Sequence, residues 1–125
     1  MPRIVVTAGE PAGIGPDLCV LLAQYSQDYD WVVIADPQVL AARALQRKQP
    51  LKIVQWQPSI YRTPSPAGVL KVWPVAMNAA VTPGVLNPKN SAVVLASLRQ
   101  AVQGCLDHTF SALVTCPVHK GAINA

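Results

Sequence analysis

Apolar and polar positions along the chain alternate in blocks that predict strands and helices in turn. Short β-branched or continuous apolar runs predict strands at residues 4–6, 31–35, 51–56, 69–75 and 111–115. The stretches after three of these runs carry apolar residues at helical spacing. Strands that alternate with helices build βαβ units. The sequence therefore predicts an α/β fold with a mostly parallel sheet flanked by helices.

The predicted helices differ in how clearly their boundaries are marked. Asp36 and Pro37 fit an N-cap residue and a first-turn proline, and they open a helix through about Arg47. Asn90 or Ser91 caps the longest helix. Its expected apolar stripe comprises Val94, Leu95, Leu98, Ala101, Val102, Cys105 and Leu106. The corresponding stripe of the first helix comprises Leu18, Leu21, Leu22 and Tyr25.

Proline-rich and turn-forming residues predict loops at 57–68 and 78–90. Pro74 lacks an N–H donor, so it predicts either an edge strand or a strand that ends at this residue. In open α/β sheets, ligands bind outside the carboxyl ends of the strands. Two segments lie there, TAGEPAGIGP after the first strand and TCPVHKG after the last. Both are candidate binding segments.

The stretch GEPAGIGP places Gly9, Gly13 and Gly15 in one strand-to-helix turn. Glycines permit positive φ and close backbone approach, and a helix starting near Pro16 would aim free N–H groups at an anion. The glycine spacing fits neither GxGxxG nor GxxxxGK[ST]. Glu10 would repel a phosphate unless it serves a hydroxyl or a cation. The alternative interpretation is a tight connection without any ligand.

Composition narrows the class of protein. Hydrophobic residues make up 51% of the 125 residues and charged residues 13%, and the mean hydropathy is +0.30. No run approaches the ~18–20 apolar residues of a membrane span, and the N-terminus lacks a signal-peptide layout. We therefore expect a cytoplasmic protein with no membrane partner. The high hydropathy indicates unusually complete burial, or apolar surface that packs against something outside the chain.

The net charge of +4 is weak evidence for a nucleic-acid partner. Arg43, Arg47 and Lys48 form the densest basic cluster, at the expected end of a helix. A solvated helix C-terminus favours cations in any protein. Aromatic residues interleaved with basic ones are not evident. We therefore predict a solvated helix end and no nucleic-acid partner.

Cysteines and histidines do not form a metal-binding pattern in this sequence. The three cysteines, Cys19, Cys105 and Cys116, contain no CxxC pair, and we expect them to be reduced and buried. His108 lies at a predicted helix end and is expected at the surface. His119 and Lys120 could hold a phosphate or tune a proton transfer, or could belong to an exposed polar loop.

The segments TAGEPAGIGPDL and ALVTCPVHKGAIN closely resemble two motifs of the 4-hydroxythreonine-4-phosphate dehydrogenase family of vitamin B6 biosynthesis. The intervening VLKVWPVAMNAAVTPGVLNPKNS is similar to the family's middle segment. Cys116 stands where that family usually has glycine. The resemblance covers essentially the whole chain, with both motifs in the family's order.

This resemblance implies an activity and its cofactors. Family members are two-domain α/β enzymes of isocitrate/isopropylmalate-dehydrogenase-like architecture that act as homodimers. They use NAD or NADP to oxidise 4-phosphooxy-L-threonine, a phosphorylated small-molecule substrate. Decarboxylation then gives an amino ketone phosphate for pyridoxal phosphate biosynthesis. A divalent metal (zinc, magnesium or cobalt) held by histidines polarises the substrate hydroxyl.

The family's chains are considerably longer than this one. The resemblance therefore implies that residues 1–125 are an N-terminal fragment, inactive alone, with the catalytic residues and metal site downstream of Ala125. It assigns to the cofactor- or substrate-binding cleft Gly9, Glu10, Pro11, Gly13, Gly15, His119 and Lys120. Gly13→Val is expected to abolish turnover in a complete enzyme. The alternatives are a stand-alone phosphometabolite- or nucleotide-binding module, and a related dehydrogenase of another phosphorylated hydroxy acid.

Overall fold

A parallel β-sheet with helices on both faces organises the structure, a computed structural model that describes residues 1–118. In chain order the elements are β1 (Arg3–Thr7), α1 (Gly15–Leu22), β2 (Asp30–Ala35), α2 (Pro37–Gln46), β3 (Lys52–Gln55), β4 (Val69–Pro74), a 3-10 turn (Pro88–Asn90), α3 (Ser91–Leu106) and β5 (Ala112–Thr115). The five strands lie in the order β3-β4-β2-β1-β5. Every neighbouring pair is parallel, which confirms the predicted fold class.

The core lies on both faces of the sheet. On one face, Trp31 and Val33 of β2 pack in a cluster that includes Leu40 of α2 and Cys19 of α1. On the other face, Val32 and Phe110 pack in a cluster that includes one α3 residue, Ala101, and the ring of Trp56. All six residues of β2 are buried, as expected for a central strand of a sheet covered on both sides.

Pro74 is the last residue of β4, which lies between β3 and β2. Of the two predicted explanations for this proline, the strand end is therefore correct and the edge strand is wrong. Pro74 pairs with Ala35, the last residue of β2. Because the ladder ends there, the missing N–H group removes no interior hydrogen bond.

A buried ion pair holds the opposite, amino-terminal edge of the sheet. Arg3 Nε lies 2.9 Å from Asp30 Oδ2, and both side chains are almost fully buried. The same guanidinium donates to the carbonyl oxygens of Ser59 and Tyr61, which anchors the 57–64 loop. Lys71 Nζ completes the group 2.5 Å from Asp30 Oδ1. These charges satisfy one another at the end of the sheet farthest from the glycine turn.

Helix α1 presents a different face to the core from the predicted one. It buries Cys19 and Val20, whereas the predicted stripe is exposed: the exposed fractions are 46% for Leu18, 36% for Leu21 and 38% for Leu22. Tyr25 lies beyond the helix and is also exposed. Small side chains on the inner face let the helix lie close to the strands. The prediction of a helix was therefore right and its buried face was wrong.

Helix α3 follows its predicted stripe only in part. Val94 and Ala101 are buried, but Val102 and Leu106 are 47% and 70% exposed. Gly104 lies on the inner face instead, where a Cβ atom would collide with the ring of Phe110. No helix within residues 1–118 has the length and hydropathy needed to cross a membrane.

The predicted cap of α3 takes another form. Asn90 occupies the N-cap position without capping through its side chain. Its Oδ1 instead accepts a hydrogen bond of 2.8 Å from the N–H of Ala79, so this buried amide fixes the preceding loop against the start of the helix. Asp36 does cap α2 as predicted, accepting from the N–H of Gln38 at 2.9 Å.

Candidate functional site

The glycine turn and the end of β5 meet at the carboxyl edge of the sheet. The N–H of Cys116 donates to the carbonyl of Thr7 at 2.9 Å, and the N–H of Glu10 donates to the carbonyl of Pro117 at 3.0 Å. These bonds extend the β1–β5 pairing beyond both strands. The two segments that the sequence placed beyond strand ends are thus in direct contact. His119 and Lys120 lie outside the described residues.

Two of the three glycines are required by close backbone approach. Gly9 has a φ of +74°, and a Cβ atom there would collide with the carbonyl of Pro117. A Cβ atom at Gly15 would collide with the carbonyl of Ala8 and lie 2.9 Å from the Cβ of Cys116. At Gly13 the nearest atom is the carbonyl oxygen of Glu10 at 3.3 Å, which is tight but not blocked. The steric requirement is therefore strongest at Gly9 and Gly15, so the largest effect is expected there rather than at Gly13.

Glu10 is folded into the turn. Its side chain is buried, and Oε1 accepts a hydrogen bond of 3.3 Å from the N–H of Ala12. Its own carbonyl accepts from the N–H of Gly13 at 3.0 Å, which closes the turn. A carboxylate that binds the loop's own N–H group helps to hold the turn in shape. This is a structural role that the sequence pattern did not indicate.

Arg43 is the turn's main anchor, and sequence reasoning missed it. Its guanidinium donates to the carbonyls of Pro11 at 2.6 Å and Gly13 at 2.7 Å, and to Asp17 Oδ2 at 3.1 Å. Only 3% of the side chain is exposed. The predicted solvated helix end is therefore wrong for Arg43, although the side chain of Arg47 is 46% exposed.

The position of Arg43 along α2 could have indicated from the sequence that its side chain is buried. It follows Val39 by four residues and therefore lies on the same, buried face of the helix. An arginine on an apolar face needs partners that accept its hydrogen bonds. The carbonyls of the glycine turn are those partners, so the guanidinium builds the turn and neutralises Asp17.

A small cavity lies beside the turn, between the end of β1, α2 and α3. Its volume is about 20 Å³, which is enough for one water molecule. Thr7 lines it and carries the one buried side-chain polar atom within residues 1–118 without a hydrogen-bond partner, Oγ1. Asp36 also lines the cavity, and its Oδ2 accepts from the N–H of Met77 at 3.0 Å. Polar groups thus converge at the carboxyl ends of β1 and β2.

A wider groove of about 460 Å³ runs between α2 and residues 77–83. This volume falls within the range of small-molecule sites, ~300–1,000 Å³. Polar side chains of Gln38, Gln46 and Asn78 line it together with apolar residues of the loop. The groove opens next to the glycine turn, since Arg43 borders both.

Within the described part of the chain, His, Cys, Asp and Glu residues form no group of three or more that could hold a metal ion. The divalent metal that the resemblance implies therefore does not fit residues 1–118. His108 is exposed and follows α3 with a φ of +65°, in agreement with its predicted surface position.

Cys116 packs beneath the turn against the apolar cluster that contains Cys19. Hydrogen bonding with the Cys19 thiol lowers the pKa of Cys116 to about 7, although partial burial opposes this effect. The hydrogen bond and burial raise the pKa of Cys19. Cys116 is half-buried, and its charged form is the nucleophilic one. Cys116 is therefore expected to be the reactive member of the pair.

We expect the alkylation rate of Cys116 by iodoacetamide to rise with pH around a midpoint near 7, below the usual cysteine value of about 8.5. Peptide mass spectrometry would follow the reaction at each cysteine separately. In Cys19→Ala the hydrogen-bond donor is gone, so the midpoint should move upwards. An unchanged midpoint in this variant would show that Cys19 does not stabilise the Cys116 thiolate.

Comparisons with known proteins agree with this architecture. The family described as "Pyridoxal phosphate biosynthetic protein PdxA" matches residues 27–125. The chain is 52% identical over 123 residues to a 4-hydroxythreonine-4-phosphate dehydrogenase of Thioalkalivibrio sulfidiphilus and 47% identical over 122 residues to that of Salmonella arizonae. Each match covers 98% of this chain but 37% of the relative. The chain thus spans little more than a third of the length of these relatives.

Solved structures share the fold. The crystal structure of 4-hydroxythreonine-4-phosphate dehydrogenase from Klebsiella pneumoniae superposes with a TM-score of 0.88 at 21% identity, over 98% of this chain and 38% of that one. A terephthalate 1,2-cis-dihydrodiol dehydrogenase from Burkholderia xenovorans gives a TM-score of 0.75 at 24% identity, over 99% of this chain and 36% of that one. At these identities the likeness shows that this chain shares the parallel α/β fold of one portion of each longer neighbour.

Proposed function

The chain belongs to the PdxA family and corresponds to its N-terminal portion, and from this membership we propose that it forms one wall of the catalytic cleft of an NAD(P)-dependent 4-hydroxythreonine-4-phosphate dehydrogenase. The family is one of dehydrogenases with a role in vitamin B6 biosynthesis. The complete enzyme is proposed to be a cytoplasmic homodimer, and residues 1–125 alone are proposed to be inactive.

The proposed reaction oxidises a phosphorylated hydroxy-amino acid, 4-phosphooxy-L-threonine. The substrate hydroxyl loses its proton while its carbon gives up a hydride, and the resulting β-keto acid loses carbon dioxide to leave an amino ketone phosphate. NAD or NADP accepts the hydride when bound. Because residues 1–118 do not fit a divalent metal, the proposal assigns no metal-dependent step to them.

The observation that carries the proposal is the contact between the glycine turn and the end of β5. The hydrogen bond from Glu10 to Pro117 and the close approach at Gly15 fix these two segments against each other at the carboxyl edge. Ligands of open parallel sheets bind at this edge. In the proposal the turn, with Gly9, Glu10, Pro11, Gly13 and Gly15, shapes one wall of the cleft. His119 and Lys120, immediately after the described residues, bind the substrate's anionic groups there.

A chimera would test this function directly. Residues 1–125 would replace the matching portion of the Thioalkalivibrio sulfidiphilus relative, to which the chain is 52% identical. We expect the chimera to reduce NAD or NADP in the presence of 4-phosphooxy-L-threonine at a rate within about tenfold of the parent, since about 1.4 kcal/mol of misalignment costs one factor of ten. Absorbance of the reduced nicotinamide would give the rate.

Two controls make the result decisive. Lys120→Met in the chimera should raise KM strongly if this residue binds the substrate phosphate, whereas Lys48→Met, at an exposed position just after α2, should leave KM unchanged. A chimera that unfolds at the parent's temperature yet shows no oxidation would contradict the proposal.

A second candidate is a related dehydrogenase acting on another phosphorylated hydroxy acid, and the structural neighbour from Burkholderia xenovorans bears on it only by showing that the fold is not tied to one substrate. Its name records a different substrate on the same fold. The same chimera assayed with a panel of phosphorylated hydroxy acids separates the two candidates by kcat/KM. The stand-alone binding module would instead be favoured if residues 1–125 bound nucleotide or phosphorylated metabolite in calorimetry without the rest of the enzyme.

A further inference from the structure

The small cavity beside the glycine turn brings polar groups from three elements together. Three polar side chains line it within the described part of the chain: Thr7 at the end of β1, Asp36 at the N-cap of α2, and Ser97 of α3. The rest of the lining is mainly apolar and includes Ile34 and Leu98. Its volume of about 20 Å³ exceeds the ~10–15 Å³ that one water molecule requires.

The hydroxyl group of Thr7 needs a hydrogen-bond partner. Thr7 is 1% exposed, and within residues 1–118 its Oγ1 is the one buried side-chain polar atom that no other protein atom pairs. Buried hydroxyl groups are almost always paired with protein or with an ordered water molecule, because an unpaired one has lost its contact with solvent. The partner of Thr7 must therefore come from the cavity.

The other two polar side chains of the cavity have only acceptor capacity to offer. The hydroxyl of Ser97 is buried and uses its hydrogen on the carbonyl of Val93 at 2.8 Å. The carboxylate of Asp36 accepts from the N–H groups of Gln38 and Met77. A hydroxyl oxygen has two lone pairs and a carboxylate has about four acceptor sites, so each group can still accept. Both can bind only a ligand that donates.

We propose that this cavity is a binding site for a single ordered water molecule. The water accepts the hydrogen of the Thr7 hydroxyl and donates its two hydrogens to Asp36 and Ser97. One donor and two acceptors match the three hydrogen bonds that a buried water typically makes. The bound water ties the end of β1 to α2 and α3 at the carboxyl edge of the sheet, next to the glycine turn.

A metal ion or a larger ligand does not fit this cavity. Ca²⁺ takes six to eight oxygen ligands, and Mg²⁺ requires nearly octahedral geometry, whereas three polar side chains line the cavity. A volume of about 20 Å³ also leaves no room for a metabolite. The water site requires no catalytic activity, so it is independent of the proposed dehydrogenase function.

A high-resolution crystal structure of the unaltered protein tests the site directly. We expect an isolated peak of electron density about 2.7–2.8 Å from Thr7 Oγ1, the usual length of an O–H···O hydrogen bond. Density at the shorter distances of metal ligands, about 2.0–2.6 Å, or a cavity without density would overturn the proposal. This measurement requires no variant, so it stands even if a substitution in the cavity prevents folding.

Thr7→Val gives an independent test, because the two outcomes have opposite signs. Valine has nearly the shape of threonine but lacks the hydroxyl. If the water is bound, we expect the equilibrium constant for unfolding to rise about tenfold, or about 1.4 kcal/mol, since a buried hydrogen bond is lost. If the cavity is dry, valine removes an unpaired hydroxyl and the protein becomes more stable. Urea unfolding distinguishes these results, and stabilisation would overturn the proposal.

Thr115→Val is the matched control for this substitution. Thr115 of β5 pairs in register with Thr7 of β1 but is exposed. We expect its equilibrium constant for unfolding to change by less than about threefold, as is usual for surface substitutions. An equal effect of both substitutions would show that valine acts through the strands instead of through the cavity, and would contradict the water site.

Discussion

Replacing Arg43 with methionine is expected to destabilise the protein by about 3–5 kcal/mol, the usual cost of removing one partner of a buried ion pair. The guanidinium satisfies the carbonyls of Pro11 and Gly13 and pairs with Asp17. Methionine fills much of the same volume but donates no hydrogen bond, so these acceptors lose their partner. Urea unfolding of the variant and the unaltered protein would measure the difference in the free energy of unfolding.

Arg47→Met is the matched control for this experiment. Arg47 pairs with the same carboxylate, Nε lying 3.0 Å from Asp17 Oδ1, but its side chain is 46% exposed. An exposed pair contributes ~1 kcal/mol or less. Each variant thus loses one positive charge that pairs with Asp17. Only Arg43→Met removes a buried side chain and its hydrogen bonds to the carbonyls of the turn. Equal destabilisation by both would contradict the anchoring role of Arg43.

The alternation of strands and helices was predictable because each element carries a local signal. β2 contains the continuous apolar run 31–35, and α2 opens with Asp36 and Pro37, and the structure confirms the capping role of Asp36. Connections that contain helices then favour parallel pairing, whereas β3 and β4 pair in parallel across the 56–68 loop, which contains no helix. The position of the two binding segments at one edge of the sheet follows from the same topology. These features depend on the sequence within each element.

The faces of α1 and the role of Arg43 were not predictable in the same way. Leu18, Leu21 and Leu22 have the spacing of a buried stripe, yet α1 approaches the sheet through Gly15 and Cys19. Which face is buried depends on what lies opposite, and that is set by distant residues such as Cys116. Arg43 likewise depends on carbonyls about thirty residues earlier in the chain. Periodicity identifies a helix but does not specify its partners.

The glycine turn was predictable from the sequence in part. Its three glycines mark a tight connection in the sequence, but only the structure distinguishes their roles. Gly9 and Gly15 are held against the backbone of the Cys116 segment and Ala8, whereas Gly13 has a carbonyl oxygen 3.3 Å from its Cβ position. Gly13 also does not have a positive φ angle. A methyl group at each position is therefore a graded probe of how tightly the turn is built.

Gly15→Ala is expected to destabilise the protein by about 3 kcal/mol, in the upper range for overpacking a close contact. The added methyl group would collide with the carbonyl of Ala8 and lie 2.9 Å from the Cβ of Cys116. Alanine is more favourable than glycine in a helix by ~1 kcal/mol. This gain in helix propensity partly offsets the destabilisation that the collision causes. The melting temperature should fall by roughly 10 °C. In the chimera, turnover should fall with it, because the turn must shift away from β5.

Gly13→Ala is the matched control, because its methyl group needs the neighbouring carbonyl to move by only a few tenths of an ångström. We expect it to change the free energy of unfolding by less than about 1 kcal/mol, at the lower end of the overpacking range. Gly15→Ala with an unchanged melting temperature would show that α1 can move away from Ala8 without cost. The turn would then be a flexible connection, and the contact between it and the end of β5 could not be what shapes the cleft.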